Sequence, residues 1–148
     1  MLRELDGGYE LDDDPRRIDV DAVHRFLAEQ SYWARGRAHS LVLASIEGSQ
    51  RVAGLYRAGE LVGFARAVTD TAIFAMLADV FVLEPHRGRG LGLELVRFIV
   101  EDGPFASLGW WLTTGSGGGA SAQGLYEKLG FSVIAGTTVM VRARRGAV

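Results

Sequence analysis

The strongest constraint in the sequence is a strand, a turn and a helix joined without a break. Ala72 to Leu83 is twelve residues of apolar character interrupted only by Asp79. An apolar run of this length, with neither the alternation of a half-buried strand nor the length of a membrane span, reads as a central strand buried on both faces. Glu84-Pro85-His86 ends it. Arg87-Gly88-Arg89-Gly90-Leu91-Gly92 then leads straight into a helix over Leu91 to Asp102. Before its last residue that helix has only three polar side chains, Glu94, Arg97 and Glu101, all on one face. A helix so broadly apolar must lie against a sheet.

The rest of the chain can be arranged around this unit. A short strand is predicted at Tyr9 to Leu11, followed by the acidic loop Asp12-Asp13-Asp14-Pro15. Asp19 is placed to cap a first helix, with Ile18 before it and Val20, Val23 and Leu27 as its apolar stripe. Ser40 is the expected cap of a second helix carrying Leu41, Leu43, Ala44 and Ile46. Arg51 to Arg57 and Glu60 to Thr69, separated by Ala58-Gly59, read as a hairpin. Leu108 to Thr114 is a further strand, Ala120 to Leu129 a helix stopped at Gly130, and Phe131 to Ala135 and Thr138 to Ala143 are closing strands. The predicted order is β-αα-βββ-α-β-α-ββ, an α+β class with a mixed, mostly antiparallel central sheet flanked by helices.

Composition narrows the function classes. The 148 residues suit one domain, 1–148, able to bury a sizeable core. Sixteen basic against eighteen acidic side chains give a net charge of −2, which provides no general attraction to nucleic acid or anionic membrane. Cysteine is absent, so disulfides, thiolate metal sites and cysteine nucleophiles are excluded, and a reducing compartment fits. No apolar leader precedes Glu10, and the longest apolar run is too short to span a bilayer. These points lead to the expectation of a soluble cytoplasmic protein, monomer or homodimer. The three histidines are scattered, without metal-ligand spacing.

The turn at 87–92 carries most of the chemical information. Glycines at 88, 90 and 92 let backbone approach a ligand and expose successive N–H groups. The helix start behind them adds partial positive charge, and Arg87 and Arg89 can add charge-assisted contacts. An anion cradle and a plain tight turn are the two readings of this stretch alone. The dinucleotide fingerprint fails, because Leu93 stands where its third glycine belongs and Trp110, Trp111 and Leu112 stand where its acid is due. No Gly-Lys-Ser/Thr exists for a P-loop.

Arg87-Gly88-Arg89-Gly90-Leu91-Gly92 after a Val-Phe-Val strand resembles motif A of the GNAT (Gcn5-related) N-acetyltransferases. Gly124-Leu125-Tyr126-Glu127-Lys128-Leu129-Gly130-Phe131 is similar to that family's motif B. The spacing between them and the element order match along nearly the whole chain. Leu77 to Val82 and Ser31-Tyr32-Trp33-Ala34 resemble an uncharacterised bacterial branch of the family. The resemblance implies acetyl-CoA as cosubstrate, with Val80, Phe81 and Val82 binding the pantetheine arm and Arg87, Gly88, Arg89, Gly90, Leu91 and Gly92 the pyrophosphate. Tyr126 would protonate the leaving thiolate, and Tyr32 and Trp33 would wall the acceptor side. Taken on its helix face alone, Tyr126 reads equally as a core tyrosine. The family often carries Asn or Asp before the motif B helix. Here Gly115-Ser116-Gly117-Gly118-Gly119 stands there, which leaves the contact to backbone or to Ser116 and Ser121.

Asp79 needs a reason of its own, because a buried carboxylate is costly unless it is paired or in a cleft. It reads either as a base beside the acceptor amine or as half of an ion pair with an arginine such as Arg66. The function expected is an N-acetyltransferase acting on a small-molecule or peptide amine by direct attack, the alternative being an acyl-CoA sensor without turnover.

Overall fold

The computed structural model describes residues 1–115 and 122–145. Its elements are β1 (Leu2–Leu5), β2 (Tyr9–Asp12), α1 (Val20–Glu29), α2 (His39–Glu47), β3 (Arg51–Arg57), β4 (Glu60–Thr69), β5 (Phe74–Val82), α3 (Leu91–Glu101), β6 (Gly109–Trp111) and α4 (Ala122–Glu127). The strands form one sheet in the order β1-β2-β3-β4-β5-β6. Every pairing is antiparallel except β5 with β6. The expected α+β class and mostly antiparallel sheet flanked by helices are therefore what the chain forms. Leu95, Phe98 and Ile99 of α3 pack on one face, joined by Leu125 and Tyr126 of α4. Phe26, Leu27, Val42 and Ile46 of α1 and α2 pack on the other, against Tyr56, Phe64 and Phe81.

Local signals place several elements as read. Asp19 caps α1, its carboxylate accepting from the Ala22 N–H at 3.0 Å. Ala58 and Gly59 both have positive φ, the conformation of a two-residue hairpin turn whose twist matches the strands it joins. The helix at 91 begins where the glycine turn ends.

Five elements differ from the reading, each for a physical reason. β1 is added, folded back onto β2 through Asp6, Gly7 and Gly8. α2 begins at His39, one residue earlier than a Ser40 cap would allow, with Ala38 at the cap position and no side-chain oxygen there to accept, while the His39 ring lies 2.7 Å from Asp21 and edge-on to His24. β5 starts at Phe74 because the Asp70 carboxylate accepts from the N–H groups of Ala72, Ile73 and Phe74 and holds them in a turn. Residues 131–135 and 138–143 form no ladder, and Val133, Val139, Met140 and Val141 are exposed. A strand needs a paired edge, and among the described residues nothing pairs with the outer side of β6.

Two features of the frame shape the site. β6 is only three residues long and pairs with Phe74 to Met76, so β5 runs on from Leu77 to Val82 with that edge open. Arg51, 6% exposed, donates to the carbonyls of Phe98, Ile99 and Asp102 at 2.9–3.1 Å. It satisfies the C-terminal end of α3 and so fixes where the helix's other end lies.

Candidate active site

The open edge of β5 and the start of α3 enclose a cavity of about 630 Å³. Leu83 donates its N–H to Val62 of β4. Strand alternation therefore turns the N–H and C=O groups of Val80 and Val82 away from β4, toward the open edge. The Val82 carbonyl is already taken there by Arg87, whose Nε donates to it at 2.8 Å. Among the described residues no strand pairs with this open edge, so it offers N–H donors to a chain-like ligand lying along it.

The glycines of the turn do different work. Gly88 and Gly90 both sit at φ +76°, where a Cβ is strained, and among the described residues beyond their chain neighbours no atom lies within 4 Å of where that Cβ would be. They leave space on the cavity side. Gly92 is a packing position, since its Cβ would meet Leu125 of α4 at 3.2 Å. With α3 behind it, the turn presents backbone N–H groups and the positive end of a helix to the cavity.

Of the residues singled out in the sequence, Val80, Phe81, Val82, Arg87, Gly88, Gly90, Leu91, Gly92, Tyr32, Trp33 and Tyr126 line this one cavity. Arg89 and Asp79 do not. His86, Gln30 and Lys128 do, and sequence reasoning missed them. The available signal was position, because His86 immediately precedes the first motif and Lys128 lies within the second. Segment 116–121, which holds Ser116, Gly119 and Ser121, lies outside the described residues.

Tyr126 sits on α4 with its ring edge-on to Phe131 at 5.9 Å. Burial first, and the neighbouring Tyr32 phenol second, push its pKa up, so it remains protonated through the neutral range. The Tyr32 hydroxyl accepts from the Gly115 N–H at 3.0 Å, tying the α1–α2 connection to the segment after β6. Trp33 stands edge-on to Tyr32, and Phe26 stacks on Phe81 at 4.0 Å, so one side of the cavity is aromatic.

Asp79 lies beside the cavity as a hub. It is 8% exposed, at φ +52°, within the bulge where the β4–β5 register shifts. A left-handed bulge residue suits Asp better than a branched apolar side chain. Arg66 Nε donates to it at 2.7 Å, Trp33 Nε1 at 2.9 Å and Arg37 at 3.3 Å. Burial works to raise its pKa. Arg66, Trp33 and Arg37 together outweigh burial and hold the carboxyl below its ordinary value. Of the two readings of Asp79, the ion pair with Arg66 is present in the structure. Among the described residues no cluster of His, Asp and Glu could hold a metal ion.

The strand, glycine turn and helix start on which the sequence resemblance rests thus stand side by side along one cavity. The profile of the Acetyltransferase (GNAT) family matches residues 20–131. The chain belongs to the GNAT acetyltransferase family. A crystal structure from Xanthomonas campestris pv. campestris, described as an acetyltransferase of the GNAT family, shares 32% identity with it. That match covers 92% of this chain and 93% of the other, with a TM-score of 0.82. A Gibberella zeae protein whose name assigns it as an acetyltransferase is 29% identical over 122 residues, 70% of this chain and 67% of that protein. An acetyltransferase structure from Deinococcus radiodurans shares the fold at 17% identity and a TM-score of 0.72, covering 98% and 94%. The family is one of acetyl transfer. No described helix is long and apolar enough to cross a membrane.

Proposed function

We propose that this GNAT protein transfers an acetyl group from acetyl-CoA to the amine of a small-molecule or peptide acceptor by direct attack. The observation that carries this reading is the open edge of β5, Leu77 to Val82, running into the Arg87–Gly92 turn along one cavity. The donor supplies a thioester. Gly88, Gly90 and the start of α3 receive its diphosphate, and the N–H groups of Val80 and Val82 receive its amide arm. The same N–H groups are placed to stabilise the oxygen that becomes negative as nitrogen attacks the carbonyl carbon.

The C–N bond forms, the C–S bond breaks, and the amine proton leaves to water. Asp79 is a poor base for that proton because three donors already hold it ionised. It acts instead as a positioning residue for Trp33 and Arg37. Tyr126 gives its proton to the departing sulfur and regains one from water. A phenol with a raised pKa is a weaker acid than a thiol, so Tyr126 acts first as a hydrogen-bond donor to the charge as it forms. Tyr32 and Trp33 wall the acceptor side. The protein is proposed to work in the cytoplasm, where the lack of cysteine fits a reducing compartment.

The test is thiol release from acetyl-CoA over a panel of amines, alongside thermal melts. Acetyl-CoA at a hundredfold excess over its Kd should add about 2.7 kcal/mol of apparent stability. Stabilisation without thiol release from any amine would favour a sensor over an enzyme. No shift with millimolar acetyl-CoA would remove the donor assignment.

A further inference from the structure

His86 is the one ring on the cavity wall whose protonation pattern is set from behind. It ends the short turn between β5 and the glycines and lines the cavity beside Arg87, Gly88 and Gly90. Its Nδ1 lies 2.8 Å from the hydroxyl of Tyr9, a β2 residue that is only 3% exposed. That hydroxyl has a second partner. Arg57 of β3 donates to it at 3.2 Å, with its guanidinium over the Tyr9 ring at 4.9 Å.

An arginine only donates, so the Tyr9 oxygen accepts from Arg57, and among the described residues the acceptor in place for the Tyr9 proton is His86 Nδ1. If Nδ1 carried the proton instead, the buried Tyr9 hydroxyl would lose its acceptor, a cost comparable to a lost hydrogen bond. The neutral ring is therefore held with its proton on Nε2, the nitrogen that Tyr9 leaves free.

We propose that His86 is an anion contact of this site. Its Nε2–H, fixed by the Arg57–Tyr9 relay, donates to the diphosphate of the donor beside Gly88 and Gly90. The proposal rests on the donor reading above. It adds to the backbone cradle a side-chain donor that is already oriented before the ligand arrives, so little ordering is required on binding.

The experiment is calorimetric binding of CoA, pantetheine and inorganic pyrophosphate to wild type and to His86→Ala, His86→Gln, His86→Asn and Tyr9→Phe, with ¹⁵N NMR of the His86 ring. His86→Ala should weaken CoA and pyrophosphate roughly tenfold, the scale of one charge-assisted hydrogen bond, and leave pantetheine unchanged. His86→Gln places an amide N–H near the Nε2 position and should keep most of the affinity. His86→Asn places it near Nδ1 and should not. Tyr9→Phe should mix the two tautomers and produce a smaller loss.

An Nδ1–H tautomer in wild type, unchanged CoA binding by His86→Ala, or equal losses for CoA and pantetheine would each overturn the proposal. If pyrophosphate binds in a His86-dependent way while CoA and pantetheine do not, the donor reading fails and the His86 contact stands. If none of the three binds wild type, both fall.

Discussion

At Asp79 and Tyr126 the roles can be separated by substitution. Asp79→Asn keeps volume but removes the charge that Arg66 and Arg37 share. Removing one partner of a buried pair typically costs 3–5 kcal/mol. Arg37 is partly exposed and can recover some solvation, so a loss near the low end, about 3 kcal/mol, is expected in denaturant melts. Turnover per folded molecule should survive at saturating acceptor, with KM rising as Trp33 loosens. A protein of unchanged stability whose kcat collapses and recovers at high pH would restore Asp79 as the base. Tyr126→Phe has the opposite signature. It should lower kcat by about 10²–10⁴-fold in thiol release, as loss of one general acid does, with acetyl-CoA affinity nearly constant. An unchanged kcat would mean that sulfur leaves unaided or that another group donates. The sequence exposes these two residues unequally. Tyr126 stands inside a contiguous motif. Of the partners that decide Asp79, Arg66 on the neighbouring strand can be named from the sequence, but Arg37 and Trp33 are 42 and 46 positions away and cannot be read from local pattern.

At the scale of elements, the glycine turn makes the sharpest claim. Gly90 caps α3 in the left-handed region with open space where a Cβ would go. Gly90→Ala therefore meets conformational strain alone, about 1–2 kcal/mol, and should still be stabilised by acetyl-CoA. Gly90→Asp adds a carboxylate at the diphosphate position and should fold while losing that stabilisation. If thermal melts show the Asp variant responding to acetyl-CoA as wild type does, the anion site is elsewhere. This turn, the Ala58-Gly59 hairpin and the Asp19 cap were legible because each is decided by a few adjacent residues. The tail was not. Phe131 to Ala143 has the apolar content of strands, but apolar content shows only that a strand could form, and pairing depends on an edge elsewhere in the fold. β1 was missed for a related reason. Leu2-Arg3-Glu4-Leu5 is short and half charged, and only the Asp6-Gly7 dipeptide after it marks a hairpin.

Across the whole molecule, the groups displaced by folding set a pH window for stability. Asp79 and Asp13 titrate below the ordinary carboxylate value of 3.8. For each, burial acts upward and is outweighed, by Arg66, Trp33 and Arg37 at Asp79 and by the N-terminal amine and Arg51 at Asp13. A carboxyl depressed in the fold contributes stability that is present above 3.8 and lost as pH falls through the folded value. On the alkaline side the N-terminal amine, Tyr126 and Tyr56 are all raised, and Tyr56 is displaced furthest. This residue is 2% exposed, and burial pushes its pKa from 10.0 up to about 12, against a partial opposing effect from Arg17. A group raised in the fold contributes in full below its unfolded value and loses that contribution as pH climbs through the folded one. The N-terminal amine is also raised above 8.0, chiefly by its hydrogen bond to Asp13. Stability should therefore be level between about pH 4 and pH 8, and fall by roughly 2–3 kcal/mol from Tyr56 alone between pH 10 and pH 12. Among the described residues the Tyr56 hydroxyl has no hydrogen-bond partner, while Arg17 covers its ring at 4.2 Å. Tyr56→Phe keeps the ring and the arginine contact and removes an unpaired buried polar group. It should equal or exceed wild type at pH 7, because an unsatisfied hydroxyl costs rather than contributes. It should also lose stability more shallowly above pH 10, since one of the ionisations that favour unfolding is gone. Urea melts at half-unit steps from pH 7 to pH 11.5 measure both effects. A variant that is clearly weaker at pH 7 would mean that the hydroxyl has a partner. Parallel alkaline slopes would mean that Tyr56 ionises as readily folded as unfolded.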